Sequence, residues 1–297
     1  MPDLQQPSSL KVGPDARGRT LRTDLRHTPV EVDSFRPSAA RMYDYYLGGT
    51  HHLAADREAA DALLAAVPGV TAIAKANRSF QRRAIEYASA NGVDQFLDLG
   101  AGFPLPGGVP DVALAANPEA RVVSVDIDPG VVASNQAAIG ADGLGGRVGA
   151  VHADLRDAHG VLEHPVTQRL LDFDRPVAVL MLSVLHFVGG DLGRIIDPLR
   201  KAMAGGSMLA LTHATAPPTG EKATITPDGL DQGTIVRLIY DCTLTPLSFR
   251  TTAELGALLT GLPLAAPGLV PIDNWRPEAG TPPNVRTLFG AIAHVPG

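Results

Sequence analysis

The sequence predicts an α/β fold built on a doubly wound, mostly parallel sheet. From Asp94 onward, short runs rich in Leu and β-branched residues alternate with intervals of helical length, which is the pattern of repeated βα units. The runs VAVLMLS and MLALT are apolar at nearly every position, as expected for central parallel strands that helices cover on both faces. Hydrophobic residues make up 45% of the chain, so a large core can form.

The first part of the chain predicts an arm and a helical cap. Residues 1–35 are rich in Pro, Arg, Asp and Ser without periodicity, which favours a flexible N-terminal arm. In residues 36–92, the stretch RPSAARMYDYYLGG predicts a short amphipathic helix. Two more helices are expected at about 55–67 and 70–91, each followed by a glycine signal. We therefore expect a cap of three helices before the sheet.

Residues 93–297 are expected to form the sheet domain. Its first five predicted strands are QFLDL, RVVSVD, VGAVHAD, PVAVLMLS and SMLALTH. The intervening helices are predicted at about 109–116, 129–138, 160–171 and 191–204.

The alternation breaks after the fifth strand, where about 216–248 predicts an insertion that contains the helical run IVRLIYDCT. Thr251 and Glu254 have capping-box spacing, so another helix should begin there. The runs GLVPID and VRTLFGAIAHV are the remaining strand candidates.

A glycine-rich turn follows the first strand in QFLDLGAGFPLPGG, and it differs from a phosphate-binding loop. A strand, a GxG turn and a helix place backbone N–H groups at the carboxyl edge of the sheet. In the dinucleotide pattern the third small residue would follow three positions after Gly102, but that residue is Leu105. Asp98 would also repel a pyrophosphate. An acid beside these glycines instead suits a ligand with a positive amino-acid end, such as S-adenosylmethionine.

Two further acids end the next two strands and suit the same ligand. Asp126 lies 24 residues beyond Gly102, close to the spacing of about 20 at which an acid binds ribose hydroxyls. Asp154 ends the third strand, where it could accept a hydrogen bond from the adenine amino group while Leu155 meets the ring. The alternatives are a carboxylate that bonds loop amides at Asp98 and a side chain that caps its own turn at Asp154.

At these motifs the sequence resembles a known family. The segments DLGAGFP, VVSVDIDP, HADLRD and RPVAVLMLSVLHFV, preceded by PSAARMYDYYLGGTHHLAADREAA and followed by LALTHAT, resemble an actinobacterial S-adenosylmethionine-dependent methyltransferase family long catalogued as a domain of unknown function. The resemblance covers about residues 35–295. It implies a Rossmann-like seven-stranded sheet whose last strand is antiparallel, with S-adenosylhomocysteine as product. The expected cofactor contacts are Asp98, Gly100, Ala101, Gly102, Asp126, Ile127, Asp154 and Leu155.

His186 follows the fourth strand and is the predicted catalytic residue. Histidine can take a proton near neutral pH, so His186 is a candidate base that also contacts the acceptor; the alternative is a histidine packed under a loop. Phe187 stands where the family often has a second histidine, which argues against a mechanism that needs a histidine pair. Ser183, at the end of the same strand, is expected to line the cofactor pocket because no GxSxG motif surrounds it.

The predicted cap contributes the remaining candidates. Asn77 or Arg78 could contact the cofactor carboxylate, or could simply belong to the polar face of the third helix. Tyr43 and Tyr46 could bind the acceptor through their rings, although such a stripe is also typical of a core. The adjacent His51 and His52 lack the spacing of metal ligands, and we expect no metal.

We therefore predict a methyltransferase that acts on a small molecule. The net charge of −6 and the absence of a basic stripe argue against a nucleic-acid partner. A single cysteine, no signal-like apolar N-terminus and no apolar run of about 18 residues lead us to expect a cytoplasmic protein without a membrane partner. The alternatives are an NAD-dependent Rossmann oxidoreductase and a non-enzymatic regulator that binds S-adenosylmethionine. The sequence does not predict the oligomeric state.

Overall fold

A computed structural model describes Asp33 and residues 35–215, 230–278 and 285–297, and the description below is of these residues. From residue 35 onward they belong to one compact unit. The arm predicted for residues 1–35 and the polar first half of the predicted insertion, residues 216–229, lie almost wholly outside them.

The sheet has seven strands in the spatial order β3-β2-β1-β4-β5-β7-β6. The strands are β1 Gln95–Leu99, β2 Arg121–Asp126, β3 Val148–His152, β4 Ala178–Leu182, β5 Met208–Ala214, β6 Val270–Pro271 and β7 Leu288–His294. The first five pair in parallel, and β7 is antiparallel to both β5 and β6. The predicted seven-stranded, mostly parallel sheet with an antiparallel last strand is confirmed.

Ten α-helices precede, separate or follow the strands in the described part of the chain. They are α1 Ala39–Tyr46, α2 Ala54–Ala66, α3 Val70–Ala90, α4 Val109–Ala116, α5 Pro129–Ala141, α6 Ala158–Glu163, α7 Pro165–Leu170, α8 Gly193–Ala202, α9 Gln232–Asp241 and α10 Thr252–Leu258. The helix predicted at 160–171 is two short helices. Pro165 causes the break, because proline cannot continue the first helix and suits the first turn of the second.

The apolar strands separate two cores. Side chains alternate along a strand, so Leu97 packs with α6 and α8 on one face while Phe96 packs with α3 and α4 on the other. Both side chains are fully buried. Burial on both faces explains why the strand runs are apolar at successive positions.

The helices before the sheet divide between two layers. Phe80 and Ile85 of α3 lie in the core under the sheet, so α3 is one of the helices that flank it. In contrast, α1 and α2 share a third core with α9, built around Met42, Leu63 and Tyr240. This separate layer is called the cap below. The sequence predicts one cap of three helices; in the structure α3 packs on the sheet and also contributes Ala74 to the core of α1, α2 and α9.

Buried charges hold the cap together. Asp56 at the start of α2 accepts hydrogen bonds from the Ser38 N–H at 2.8 Å and the Leu53 N–H at 2.7 Å. It also pairs with the Arg41 guanidinium at 2.6 Å, and both side chains are at most 2% exposed. The PSAARM and ADRE segments thus encode the junction of α1 and α2.

None of the described helices is by itself long and apolar enough to cross a membrane; α2 and α3 reach that length and composition together, but they meet at a bend of 101°.

Candidate active site

The glycine turn after β1 lies against the loop after β4. Gly100 has a φ of +78°, which is in the left-handed region, and its N–H donates to Val125 O at 2.8 Å. A Cβ at this position would lie 2.3 Å from Val184 Cγ2. Glycine is therefore required at position 100 both by the backbone conformation and by the close packing of the two loops.

Asp126, at the end of β2, fixes the second half of the turn. Its carboxylate accepts hydrogen bonds from the Gly102 N–H at 3.0 Å and the Asp128 N–H at 2.9 Å. Burial raises the pKa of Asp126, and these two N–H donors oppose the increase. Because the Gly102 N–H is already bonded to a carboxylate, it is not directed at a phosphate. Ile127, the next residue, exposes 49% of its surface beside this acid.

Asp98 of β1 is a buried acid without a hydrogen bond in the described part of the chain. It is 7% exposed. Burial raises its pKa to about 7, while the Arg78 charge lowers it and the Asp126 charge raises it further. A buried carboxylate is costly unless a cation or several donors accompany it. The site is therefore suited to a positively charged ligand at Asp98.

Arg78 of α3 places a positive charge near Asp98 and also bonds to the glycine turn. Its guanidinium donates to Pro106 O at 3.2 Å and to Gln81 Oε1 at 3.0 Å. A further contact, to Leu105 O, is 3.4 Å long. Leu105, which departs from the dinucleotide pattern, thus contributes a backbone carbonyl to the loop.

A buried hydrogen-bonded chain links the strand ends to α1. The Ser183 N–H donates to Thr212 Oγ1 at 2.7 Å, and the Thr212 hydroxyl donates to Asn77 Oδ1 at 2.7 Å. Asn77 Nδ2 then donates to the Tyr43 hydroxyl at 3.0 Å, which donates to Ala74 O at 3.2 Å. Ser183 has a φ of +56°, a strained conformation for a residue with a Cβ. The chain stabilises that conformation.

Asp154 is engaged by its own neighbour. It accepts a hydrogen bond from the Arg156 N–H at 2.9 Å and pairs with the Arg156 guanidinium at 2.5 Å. The Arg156 hydrogen bond holds the pKa of Asp154 below its usual value. The neighbouring Leu155 packs against the core on the α6 and α8 face. Here the structure contains the local turn that the sequence left open as the alternative.

His186 lies in the 3₁₀ turn Leu185–Phe187 after β4 and is 6% exposed. Burial lowers its pKa well below the usual value, with further lowering from His213 and Arg250. The Ala214 N–H donates to Nδ1 at 3.4 Å. The ring is consequently neutral at pH 7, and burial disfavours the imidazolium that a general base must form.

Two neighbours of His186 were not singled out from the sequence. His213 of β5 lies with its ring centre 5.5 Å from that of His186. Arg250 donates to His213 Nε2 at 3.0 Å and to the carbonyls of Val188 at 2.8 Å and Gly190 at 2.9 Å. Arg250 thereby fixes the loop after β4. The sequence signal that could have found His213 was its position, next to Thr212, at the end of a predicted strand, where the three acids also lie.

The tyrosines of α1 have different surroundings. Tyr43 lies in the hydrogen-bonded chain described above, whereas Tyr46 is buried in the cap core beside Tyr240. Burial raises the pKa values of Tyr43 and Tyr46. Of the two, only Tyr43 is brought into contact with the polar groups at the strand ends.

The segment after α1 covers the glycine turn. The His51 ring stacks on Phe103, with ring centres 4.5 Å apart and an angle of 17° between the planes. His52 instead contacts the Tyr45 ring and lies 3.2 Å from Arg57. The two adjacent histidines therefore do not converge.

Comparison with known proteins decides the family. The model of the S-adenosyl methyltransferase family matches residues 26–296. The chain belongs to this family. It is an S-adenosylmethionine-dependent methyltransferase, as the resemblance of its motifs implied.

Two solved structures resemble this methyltransferase over nearly their whole length. A Thermobifida fusca protein assigned as a methyltransferase has 32% identity and a TM-score of 0.80, over 92% of this chain and 100% of its own. A DUF574 family protein from Streptomyces avermitilis has 33% identity and a TM-score of 0.79, over 89% of this chain and 99% of its own. A search of curated proteins gives no match.

The site fits the cofactor that the family implies. An adenosyl sulfonium with an amino-acid end carries positive charge and no phosphate, and the site offers the buried Asp98 and a turn whose Gly102 N–H is already occupied. The same features disfavour a pyrophosphate. The family match therefore supports the methyltransferase prediction over the NAD-dependent oxidoreductase.

Proposed function

We propose that this methyltransferase acts on a small molecule that binds between the cap and the carboxyl edge of the sheet. The observation that carries the placement of the cofactor is the environment of Asp98, which is buried without a hydrogen bond in the described residues and lies close to the Arg78 charge. An amino acid has both charges, so its ammonium would pair with Asp98 and its carboxylate with Arg78. Between Asn77 and Arg78, we assign the carboxylate contact to Arg78.

The remaining cofactor contacts follow the strand ends. We infer that Asp126 uses its free lone pairs for the ribose hydroxyls while it holds the Gly102 N–H. The exposed Ile127 side chain would pack on the adenine ring, together with Leu155. Asp154 would accept from the adenine amino group while it remains paired with Arg156. Contact with Gly100, Ala101 and Gly102 would bring the ligand close to the backbone of the turn.

Asn77 has a positioning role in this proposal. Its side chain oxygen and nitrogen already bond Thr212 and Tyr43, so it holds the chain that supports Ser183. Ser183 would line the cofactor pocket from the end of β4. Tyr43 would face the acceptor from the other end of the same chain, and Tyr46 would support it from the cap core.

The acceptor is proposed to be small because the segment around α1 reaches several loops of the site. Ser38 Oγ lies 3.5 Å from Asp128 Oδ2 after β2, Tyr43 joins the chain at β4 and β5, and His51 stacks on Phe103 after β1. Such a cover suits an enclosed molecule. The net charge of −6 disfavours a nucleic acid. We also propose a cytoplasmic location, which the single cysteine, Cys242, supports.

The bound cofactor supplies an electrophilic methyl group, and the protein supplies position. Holding two reactants at near-attack distance lowers the barrier by several kcal/mol. The sequence predicts His186 as a candidate base. Burial lowers the pKa of His186 and so makes it a weak base; in this proposal it contacts the acceptor and supports the loop after β4.

A labelling experiment tests the acceptor class. The protein is incubated with cofactor that carries a radioactive methyl group and, separately, with a small-molecule extract, total RNA and total protein from an actinobacterial culture. We expect label only in the small-molecule fraction, and none with Asp98→Asn. Label in RNA or protein that depends on Asp98 would contradict the small-molecule assignment.

A further inference from the structure

His51 has the environment of a general base, although the sequence around it does not predict that role. Its ring stacks on Phe103, which directly follows Gly102 in the turn of the proposed cofactor site. Gly102 in turn bonds to Asp126, the proposed ribose ligand, at 3.0 Å. His51 therefore lies at the edge of the same site, on the side that α1 covers.

Asp44 of α1 orients the His51 ring. The Asp44 side chain is fully buried, and its Oδ1 lies 3.0 Å from His51 Nδ1. Its other oxygen accepts the His51 backbone N–H at 2.8 Å. Gly49 makes room for this carboxylate, because a Cβ there would lie 2.0 Å from Oδ1. The turn is built around the acid.

This geometry selects one form of the ring. A carboxylate only accepts hydrogen bonds, so His51 Nδ1 carries a proton and Nε2 of the neutral ring has a free lone pair. In the described part of the chain no group bonds to Nε2, and the side chain is 31% exposed. An acid that orients a histidine in this way is the arrangement found where histidine takes a proton from a reacting group.

The other histidines near the site lack this combination. His213 Nε2 already accepts from Arg250 at 3.0 Å, and its Nδ1 lies 2.6 Å from Ala214 O. His186 is buried and has no carboxylate partner among the described residues. Only His51 of these three combines a buried acid partner with an accessible nitrogen.

We propose that His51, oriented by Asp44, is the general base of the methyl transfer. In this step the acceptor heteroatom bonds to the methyl carbon, and the carbon–sulfur bond breaks with its electron pair left on sulfur. The acceptor proton passes to His51 Nε2. Water then receives that proton. The assignment rests on the methyl transfer proposed above.

Nitrogen NMR of protein labelled at its histidines tests the assignment without an acceptor. Spectra are recorded near neutral pH with S-adenosylmethionine and with S-adenosylhomocysteine, which lacks the methyl group and the positive charge. His51→Gln and the matched control His52→Gln assign the signals. If His51→Gln does not fold, Phe103→Leu assigns them, since it removes the ring stacked on His51.

We expect Nε2 of His51 to be the unprotonated nitrogen and its resonance to differ between the two complexes, while the His52 resonances do not. A protonated Nε2, or identical His51 resonances in both complexes, would overturn the assignment and leave the cofactor site intact. Failure of wild-type protein to bind either ligand in calorimetry would instead overturn the proposed function and the base with it. Once an acceptor is found, His51→Gln should lower kcat by about 10²-fold or more with cofactor affinity unchanged, whereas His52→Gln should leave kcat unchanged.

Discussion

Asp98 dominates the electrostatics of the site at the scale of single residues. A carboxylate that is 7% exposed, with no hydrogen bond from the described residues, is destabilising when ionised in the free protein. The pKa of about 7 expresses this cost. A cation that binds there relieves this cost, so the buried acid lowers the stability of the free protein and raises its affinity for a cationic ligand. Ser183, with a φ of +56°, stores backbone strain at the same edge of the sheet.

The first prediction concerns the stability of the ligand-free protein. The pKa of Asp98 rises from 3.8 in the unfolded chain to about 7 in the folded one, so its contribution is favourable at low pH and is lost as pH rises through the folded value. Asp98→Asn removes that loss. The variant should gain on the order of 2 kcal/mol relative to wild type between about pH 5 and about pH 8, as measured by urea unfolding. A constant difference across this range would contradict the raised pKa.

The second prediction concerns Gly100. Gly100→Ala should lower the free energy of unfolding by at least about 2 kcal/mol and abolish cofactor binding, because the new Cβ would meet Val184 at 2.3 Å. Gly102→Ala is the matched control: its φ is also positive at +67°, but a Cβ there meets no atom within 4 Å. It should cost only about 1 kcal/mol.

A double variant separates crowding from backbone strain. Adding Val184→Gly to Gly100→Ala removes both Val184 atoms that the new Cβ would meet closely, Cγ2 at 2.3 Å and Cβ at 2.6 Å. Relative to Val184→Gly alone, Gly100→Ala should then cost only about as much as Gly102→Ala does in the wild-type protein. An undiminished cost would show that the backbone conformation alone requires glycine at position 100.

At the scale of elements, α1 and α2 depend on buried polar contacts as well as on apolar burial. Arg41 and Asp56 pair in the interior, and Asp44 holds the turn that follows α1. Removing one member of a buried pair leaves the other charge without compensation, which costs more than the pair contributes. The cap is therefore sensitive to single polar substitutions.

The third prediction is that Asp56→Asn lowers the free energy of unfolding by about 3 to 5 kcal/mol. The loss appears either in the main unfolding transition or as a separate transition of the cap. Chemical denaturation followed by circular dichroism measures it. Glu86→Gln removes an exposed ion pair to Arg82 on α3 and serves as control, with an expected change below about 1 kcal/mol. Equal effects of the two substitutions would contradict the structural role of the buried pair.

At the scale of the whole molecule, the sequence predicts what depends on local pattern. The β1 and β2 bounds match because each apolar run extends over one strand, and the α10 start matches because Thr251 and Glu254 form a capping box. The bond between Asn77 and Thr212 joins residues 135 positions apart, and no local pattern signals it. The pair of Asp44 and His51 also lacks a local signal, because adjacent histidines suggest only a metal site and the acid lies seven residues earlier. The roles of the predicted site residues stay predictions.

The central claim is that Asp98 holds the positive end of S-adenosylmethionine. Calorimetry of wild-type protein and Asp98→Asn with this ligand at about pH 8, where the acid is ionised, tests it most directly. Loss of a buried charge-assisted contact typically costs about 2 kcal/mol or more, so the variant should bind at least about 30-fold more weakly while it remains folded. NAD should bind to neither protein. Equal affinity of the two proteins for S-adenosylmethionine would contradict the account.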